Sequence, residues 1–451
     1  MSDAYSLGKK KAVRVAKKVA RGCDAYQKFL KRGDIHFSKT RFSDLPLCEK
    51  KNYTQSFPLA ERIYKGKKLS DFYMICTSSG SIDEPTIWPR SFESDQKIEM
   101  GLSKFLDNNF QIFNKKTLIV VALALGTTQA GVMNLRDSWS ASKKAKVSVI
   151  SPNGDTGVTL FLLEKLAKFY DQVIFLGYPP LISDVLDSAV KKKLPVRDWS
   201  LKIALTSESI SPLWRCEVLE ITGGKEKDIV SFYGTTEAGI IGFETPETNA
   251  VISRCLDNAE LRFALFGTRN LPTLVAVDFS RKFVEIVGGE VVVTVDQVVP
   301  LVRYNVHDNG MLISSAQINQ VLKKHGLKRV AFKKENTYLA IFGRNLQRRF
   351  SIEDIRHVLD AMDIYDVLLH EFQFQEKVID SQLKLTLYLY QKSTGEKTKK
   401  DLAKTVSNEV VRRLNEVTRS NEKFVIDVVM KEENEAIGYK MGKLRYLLGN
   451  S

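Results

Sequence analysis

The sequence predicts an α/β protein: a large N-terminal domain with mixed, largely parallel sheets, followed by a small α+β C-terminal domain. A chain of 451 residues is too long for one ordinary hydrophobic core, which indicates two or more domains. Continuous apolar runs alternate with segments of helical periodicity, as is typical of a mostly parallel sheet. From residue 343 onward the sequence becomes more polar and regularly patterned. These three observations together predict the fold class.

The composition is that of a globular protein, with 43% hydrophobic and 27% charged residues. No window approaches the apolar length that a bilayer span needs, and the first residues lack the apolar core of a secretory signal. The five cysteines are odd in number, widely spaced and without a CxxC pair, so we expect reduced thiols in a cytoplasmic protein. The five histidines are too scattered in sequence to suggest a zinc cluster.

The chain is strongly basic, and its net charge of +15 indicates either an anionic partner or a surface that favours solubility. The most basic segment, residues 9–32, has small apolar residues at helical spacing. It could lie on an acidic membrane surface or bind nucleic acid, or it could be a solvated helix packed on the large domain. Because the apolar stripe is narrow and no nucleic-acid-binding signature is present, we expect residues 1–35 to form a basic helix packed on the large domain. Nucleic acid is therefore a disfavoured partner.

Four apolar runs predict strands of the large domain. Residues 72–86 begin with a short strand that enters a hydroxyl-rich loop, and residues 117–125 form a continuous run typical of a strand buried on both faces. Residues 173–176 and 201–205 predict two further buried strands. In a parallel sheet the loops that follow these strands open on one edge, where ligands bind in α/β proteins.

Two segments between these strands are informative. The loop at 126–131 contains two glycines, so it could line an acyl pocket or form a packed turn. Residues 158–170 predict a helix whose apolar side consists of Phe161, Leu162, Leu166 and Phe169.

The most informative stretch is SFYGTTEAGIIG at 231–242. An apolar run enters a glycine and two threonines, a glutamate follows, and a second apolar run begins, which predicts a strand ending in a tight turn. Hydroxyls at this position can donate to phosphate oxygens, and a lone carboxylate such as Glu237 is an oxygen ligand suited to a phosphate-bridging Mg²⁺. By itself the pattern also fits an ordinary turn with a surface glutamate.

The remainder of the chain predicts a hairpin and a separate small unit. Residues 283–295 alternate around Gly288 and Gly289, which indicates a hairpin, and 337–342 predict one more strand. Beyond residue 343, helical patterns at 351–362 and 402–414 and strand patterns at 383–390 and 424–430 predict a compact α+β unit. Near the end, Lys443 lies beside a glycine in a segment that a mobile loop could present, with Lys440 as the alternative.

These segments, taken in order, resemble the adenylate-forming superfamily of acyl-CoA synthetases, adenylation domains and luciferases, and most closely the branch that includes phenylacetate–CoA ligase. The turn YGTTE resembles its Tyr-Gly-x-Thr-Glu signature, and SSGSIDEP at 78–85 resembles its phosphate loop, Ser-Ser-Gly-Thr-Thr-Gly-Lys-Pro. RYNVHD at 303–308 resembles Arg-Tyr-x-x-Gly-Asp, GRN at 343–345 resembles the hinge, and the glycine and lysine at 442–443 resemble the terminal Gly-Lys motif.

The resemblance implies a role for each matched residue and a domain division. It implies a large domain at 36–342, a hinge at 343–345 and a small lid domain at 346–451. The implied nucleotide-binding residues are Ser78, Ser79, Gly80, Ser81, Tyr233 (stacked on adenine), Gly234, Thr235, Asp308 (on the ribose hydroxyls) and Arg344. The implied catalytic residues are Thr236 on the α-phosphate, Glu237 as the Mg²⁺ ligand and Lys443, which promotes adenylate formation.

The sequence departs from the family pattern at five positions, one of which is Asn345, where the family hinge has an acidic residue or a lysine. Ile82, Asp83 and Glu84 replace a hydroxyl residue, a glycine and the lysine of the phosphate loop, and His307 stands where glycine is usual. Two carboxylates beside a triphosphate repel it unless Mg²⁺ or nearby lysines neutralise them. The departures at 82–84 and 307 favour a second interpretation, in which the chain is a non-catalytic relic of the fold that binds nucleic acid or a protein.

The resemblance therefore implies ATP- and Mg²⁺-dependent activation of a small carboxylic acid through an acyl-AMP intermediate. In the resembled branch the acyl group passes to coenzyme A, so an AMP-forming acid–CoA ligase for an aromatic or fatty acid is the first expectation. Transfer to an amine, as in relatives of the family, or to an acidic acyl carrier protein is the alternative. The basic surface suits coenzyme A and an acidic carrier equally.

Overall fold

The computed structural model describes residues 2–78, 85–127, 129–143, 145–206, 210, 212–268, 271–343, 345–346, 350–351, 355, 358–359, 362, 368–379, 382–391, 404–412 and 425–432. The helices are α1 Asp3–Gly22, α2 Asp24–Arg32, α3 Leu59–Arg62, α4 Phe92–Phe110, α5 Gln129–Ser142, α6 Thr156–Leu166, α7 Pro179–Lys191, α8 Pro212–Thr222, α9 Pro246–Cys255, α10 Ala259–Phe266 and α11 Ser315–Lys324. The strands are β1 Met74–Thr77, β2 Ile87–Arg90, β3 Thr117–Val121, β4 Val147–Ile150, β5 Gln172–Gly177, β6 Leu201–Leu205, β7 Ile229–Thr235, β8 Gly239–Phe243, β9 Thr273–Val277, β10 Lys282–Val287, β11 Glu290–Val295, β12 Leu301–Ser314, β13 Thr337–Gly343, β14 Asn345–Leu346, β15 Phe350–Ser351, β16 Leu368–Ile379, β17 Gln382–Gln391 and β18 Val425–Glu432. Among the described helices, none combines the length and hydropathy needed to cross a bilayer.

The chain divides into two compact units. Unit 1 consists of Met1–Ser78, Thr86–Gln111 and Val230–Phe342, and unit 2 consists of Ser79–Pro85, Ile112–Ile229 and Gly343–Ser451.

Unit 2 contains a parallel sheet in the order β6-β5-β3-β4. Every residue of β3 and β5 is buried, which explains the apolar runs that follow Thr117 and Gln172, the first residues of these strands. The predictions of buried parallel strands at 173–176 and 201–205 are confirmed, whereas the run at 117–125 forms a strand only as far as Val121. Because β3, β5 and β6 are parallel, the loops that follow them lie at one edge of this sheet.

The first turn of α5 packs against the loop that follows β3. A Cβ atom on Gly131 would lie 1.9 Å from the carbonyl oxygen of Ala124, an approach that only glycine allows. A Cβ atom on Gly126 would meet nothing within 4 Å, and residues 125–127 are exposed. Gly131 is therefore a packing position, whereas Gly126 lies in an open part of the loop.

The predicted apolar side of α6 is wrong. Phe161 and Phe169 are 57% and 66% exposed, whereas the side that faces the core consists of Thr159, Leu160 and Leu163. The helix carries apolar residues on both sides, so its periodicity does not decide which side is buried.

Unit 1 contains a sheet in the order β10-β11-β12-β13-β9-β8-β7. The predicted hairpin is confirmed: β10 and β11 pair antiparallel, and Gly288 and Gly289 join them with φ values of 60° and 87°. Two successive residues with positive φ match the type I′ turn of hairpins, which needs glycine or asparagine. A second antiparallel hairpin joins β7 to β8.

The basic N-terminal segment forms two helices where its sequence pattern predicts one. α1 packs on β10, β11 and β12 through a stripe of small residues that includes Gly8, Ala12 and Ala16. A Cβ atom on Gly8 would lie 2.8 Å from Phe279, so this stripe brings the helix close to the sheet. The chain turns at Cys23, whose backbone is extended and whose thiol donates to the carbonyl of Glu61 at 3.3 Å. None of the five cysteines, all of which the structure describes, forms a disulfide bond.

Arg303, a buried residue of β12, binds the segment that precedes α3 through hydrogen bonds. Arg303 Nε donates to Glu285 Oε1 at 2.9 Å, and its Nη1 donates to the carbonyls of Ser43 and Leu45. The side chains of Arg303 and Glu285 are 6% and 15% exposed. Cys48 continues this attachment through backbone hydrogen bonds to Arg303 and Asn305.

We expect Arg303→Met to lower the free energy of unfolding by about 3–5 kcal/mol, because it leaves the Glu285 carboxylate buried without its partner. Urea denaturation measures this change. The control is Arg41→Met, since Arg41 is 84% exposed in its ion pair with Asp44 and its loss should cost less than about 1 kcal/mol. Equal losses in the two variants would contradict a structural role for Arg303.

The C-terminal residues that the structure describes form a small sheet in the order β16-β17-β18, antiparallel and then parallel. Leu387 and Leu389 are buried on β17, and Val406 and Val410 are buried on the helical segment 404–412. This arrangement confirms the predicted fold class of a large α/β part followed by a small α+β part.

Candidate functional site

The hairpin turn between β7 and β8 is held by its own residues. Thr235 pairs with Gly239, and the Thr235 Oγ1 atom accepts a hydrogen bond from the backbone N–H of Ala238 at 3.1 Å. The register shifts between Tyr233 and Gly234, where a Cβ on Gly234 would lie 3.0 Å from the Gly239 carbonyl oxygen. Gly239 itself has a φ of 64°. The two glycines therefore allow the tight turn, and the Thr235 hydroxyl closes it.

The two residues at the tip of this turn present free polar groups. Thr236 and Glu237 are both half-buried. Within the described part of the chain, neither the Thr236 hydroxyl nor the Glu237 carboxylate has a hydrogen-bond or ion-pair partner. The backbone beneath them is fixed, because Gln297 Nε2 donates to the Glu237 carbonyl at 2.6 Å and to the Val299 carbonyl at 3.2 Å. The turn therefore holds a hydroxyl and a carboxylate ready for an external partner.

Asp308 lies at the base of the same hairpin. The Tyr233 hydroxyl donates to Asp308 Oδ2 at 2.6 Å, although β7 and β12 are not neighbours in the strand order. The sheet of unit 1 is therefore curled enough to bring these two strands together. In the described residues, Oδ1 of Asp308 has no hydrogen-bond donor.

His307 keeps the backbone conformation that glycine would adopt. Its φ is 62°, in the left-handed region where a histidine is strained. Its Nε2 atom lies 3.1 Å from Glu49 Oε2 and its Nδ1 atom lies 3.6 Å from Glu290 Oε1. Its backbone N–H donates to Asn305 Oδ1 at 2.8 Å. These contacts hold the unusual residue in place, so the backbone that leads into Asp308 has the same handedness as a glycine would give it.

Of the four predicted phosphate-loop residues, Ser78 alone lies within the described part of the chain. Its Oγ accepts hydrogen bonds from the Thr86 backbone N–H at 2.9 Å and from Thr86 Oγ1 at 3.2 Å, which ties the two ends of the loop together. Trp88 Nε1 donates in turn to Thr86 Oγ1 at 2.8 Å.

Several other residues singled out from the sequence lie outside the described residues. They are Ser79, Gly80, Ser81, Ile82, Asp83, Glu84, Arg344, Lys440 and Lys443.

The sequence reasoning missed the groups that support the turn. Lys282, the first residue of β10, donates from Nζ to the carbonyls of Ala238 and Ile240. Its pKa is lowered to about 7, chiefly by burial and then by the charges of Arg90 and Arg281, against the opposing charge of Asp95. A lysine at the start of an alternating strand has the sequence signature of a solvated residue, so no local signal could have identified it.

A buried ion pair lies close to this lysine. Arg90, at the end of β2, donates to the Asp95 carboxylate, which also accepts from the Tyr73 hydroxyl. Arg90 and Asp95 are 4% and 2% exposed. Lys282 therefore interacts electrostatically with the Arg90 cation and with the Asp95 carboxylate.

The donor set of the site fits a magnesium nucleotide. Glu237 supplies a free carboxylate of the kind that Mg²⁺ prefers, and Thr236 supplies a hydroxyl next to it. Asp308 retains a free oxygen that can accept from a sugar hydroxyl. The structure brings Tyr233 and Asp308 together through a hydrogen bond, and Thr236 and Glu237 follow Tyr233 in the same hairpin.

No family model matches the chain, and no curated protein matches its sequence. The fold does match solved structures. A structure of 2-hydroxyisobutyryl-CoA ligase in the postadenylation state with 2-HIB-AMP aligns with a TM-score of 0.66 and 14% identity, covering 99% of this chain and 89% of the other. The same ligase with 2-HIB-AMP and CoA in the thioesterification state aligns with a TM-score of 0.56 and 13% identity, covering 100% and 91%. The acyl acid amido synthetase GH3.15 aligns with a TM-score of 0.60 and 13% identity, covering 99% and 92%. The chain therefore has the fold of the adenylate-forming enzymes.

Proposed function

We propose that this protein activates a small carboxylic acid with ATP, forming an acyl-adenylate and releasing pyrophosphate. The observation that carries this proposal is the hairpin turn with the Thr236 hydroxyl and the Glu237 carboxylate, neither of which has a partner among the described residues, together with the hydrogen bond from Tyr233 to Asp308. The adenylate-forming fold supports it, because these residues match the motif positions of that fold.

In the proposed reaction a carboxylate oxygen of the acid attacks the α-phosphorus of ATP, and the bond to the pyrophosphate oxygen breaks. Negative charge increases on the phosphoryl oxygens as this happens, so the groups that face them control the rate. Thr236 donates to an α-phosphate oxygen, and Lys443 brings a positive charge. Glu237 would hold Mg²⁺, which neutralises the phosphate charge when it is bound.

The nucleoside part of ATP is assigned to Tyr233 and Asp308. The Asp308 carboxylate accepts from the ribose hydroxyls, as a carboxylate does in dinucleotide-binding folds. The Tyr233 hydroxyl holds one oxygen of that carboxylate at 2.6 Å, so the other is turned to a fixed direction. The aromatic ring of Tyr233 offers a face on which adenine can stack.

Asp308→Ala should raise the KM for ATP about tenfold and leave the maximal rate within about twofold, since the ribose contact is made equally in the ground state and the transition state. Tyr233→Phe should have a smaller effect of the same kind. Initial rates of pyrophosphate exchange measured against ATP concentration give both constants. A fall in the maximal rate with no change in KM would reject the ribose assignment.

The acyl acceptor is proposed to be coenzyme A, with an amine or an acidic carrier protein as alternatives. The likeness to a CoA ligase supports the first, and the likeness to an acyl acid amido synthetase supports an amine. We further propose that the parts at 36–342 and 346–451 act as the large domain and the lid, and that rotation about 343–345 admits the acceptor after adenylation.

The test is exchange of labelled pyrophosphate into ATP over a panel of aromatic and fatty acids, with and without Mg²⁺. Exchange that depends on one acid supports the proposal. Absence of exchange with every acid, together with salt-sensitive binding of nucleic acid, would support the non-catalytic interpretation suggested by Ile82, Asp83 and Glu84. Adding coenzyme A, amines or carrier proteins to the active assay then identifies the acceptor by its acylated product.

A further inference from the structure

One lysine, Lys282, contacts the backbone of the turn that carries Thr236 and Glu237. Lys282 Nζ donates to the carbonyls of Ala238 and Ile240, the residues on either side of Gly239. Lys282 as a whole is half-buried, but its ammonium group is enclosed by protein. Charge-assisted hydrogen bonds of this kind are about twice as strong as neutral ones. One side chain thus fixes both carbonyls that flank the left-handed residue of the turn.

Burial of the Lys282 ammonium group at this position costs free energy. Its ammonium loses water, and the guanidinium groups of Arg90 and Arg281 repel it while the Asp95 carboxylate attracts it. Arg90 donates to that carboxylate, and Arg281 is paired with Asp278. A methionine would fill the same space without the cost of burying an ammonium group, but it would leave the Ala238 and Ile240 carbonyls without this donor. The contribution of the lysine therefore lies in these two contacts and in the shape that they give to the turn.

Neutral side chains also contact the backbone of the turn. Gln297 Nε2 donates to the Glu237 carbonyl, and the Thr235 hydroxyl accepts from Ala238 N–H. Gln297 and Thr235 each contact one backbone group of the turn, whereas Lys282 contacts two. Lys282 thereby joins β10 to the segment that follows Thr236 and Glu237. Without it, the backbone around Gly239 keeps its pairing with Thr235 and loses the two side-chain contacts that join it to β10.

We propose that Lys282 is a positioning residue, which holds the hairpin turn so that Thr236 and Glu237 face the phosphates of ATP. Lys282 touches neither substrate in this scheme and acts through the backbone of the turn. The inference rests on the proposed adenylation function, and it predicts a change in turn mobility that can be measured without that function.

The first test is hydrogen exchange followed by mass spectrometry on three full-length proteins: wild type, Lys282→Met and Lys11→Met. Lys11 is the matched control because its Nζ also donates to a backbone carbonyl, that of Ser280 at 3.3 Å, but in an exposed position. We expect amides in the peptide spanning 234–241 to exchange at least tenfold faster in Lys282→Met, with no change in Lys11→Met. Unchanged protection in Lys282→Met would overturn the proposal, and so would a loss of protection spread evenly over unit 1.

The second test separates positioning from substrate binding. In pyrophosphate exchange, Lys282→Met should lower kcat about tenfold and leave the KM for ATP within about twofold, because Thr236 and Glu237 act on charge that develops in the transition state. Faster hydrogen exchange in the turn with an unchanged kcat would reject the positioning role. If the wild-type protein shows no pyrophosphate exchange, the proposed function fails, while the hydrogen-exchange result still decides whether Lys282 holds the turn.

Discussion

Replacing Lys443 by alanine should slow formation of the acyl-adenylate about a hundredfold or more while leaving folding unchanged. The lysine is assigned from the resemblance of its Gly-Lys motif, and it brings a positive charge to phosphoryl oxygens on which negative charge increases. Removing one donor of this kind from a developing oxyanion typically raises the barrier by about 2.7–4 kcal/mol, which corresponds to a factor of about a hundred to a thousand. Pyrophosphate exchange at saturating ATP and acid measures this rate directly.

Lys440→Ala is the matched control, because it removes the same charge three positions earlier in the same segment. We expect it to change the exchange rate less than about threefold, the effect of a surface lysine that makes no specific contact. Circular dichroism and thermal unfolding should be the same for both variants and the wild type. An unchanged exchange rate in Lys443→Ala would reject the assignment, and a hundredfold loss in Lys440→Ala would transfer the role to that lysine.

The strands of unit 2 could be predicted because burial leaves a direct trace in the sequence. β5 is buried at every position, and its residues 173–176 form an uninterrupted apolar run. The hairpin of β10 and β11 was equally clear, since only glycine readily adopts the positive φ values that Gly288 and Gly289 have. In both cases a local physical requirement acts on consecutive residues.

The buried side of α6 could not be predicted, because the choice between two apolar sides is made by tertiary contacts. Phe161 and Phe169 have the spacing of a core-facing stripe, yet Leu160 and Leu163 are the residues that reach the core. Hydrophobic periodicity reports that a helix has an apolar side, and it does not report which other element covers that side.

The candidate site also consists of residues that the sequence pattern identifies and residues that it does not. The turn residues that carry the chemistry are consecutive, so their motif was visible in the sequence at 233–237. The side chains that hold them come from positions far along the chain: Lys282 is separated by 44 positions from Ala238, and Gln297 by 60 from Glu237. Contacts over such separations are set by the curl of the sheet in unit 1, which no pattern of neighbouring residues encodes.

Glu237→Gln should lower the rate of pyrophosphate exchange about a hundredfold and raise the Mg²⁺ concentration needed for half-maximal activity. The amide keeps the size of the side chain and removes the charge, and a neutral amide is a poorer ligand than a carboxylate for a hard cation. Because the Glu237 carboxylate has no partner among the described residues, its replacement breaks no hydrogen bond within that part of the chain. The free energy of unfolding should therefore change by less than about 0.5 kcal/mol.

Two variants make the result specific. Glu237→Asp keeps the charge on a shorter side chain, so it should recover part of the activity at high Mg²⁺, whereas the amide should not. Glu164→Gln is the control for loss of one carboxylate elsewhere, since Glu164 is 39% exposed beside Lys165 on α6, and it should leave both the rate and the Mg²⁺ dependence unchanged. A wild-type Mg²⁺ dependence in Glu237→Gln would show that the carboxylate does not hold the metal. The loss of rate would then have to come from the turn itself, and Lys282→Met and Glu237→Gln should in that case have the same effect on kcat.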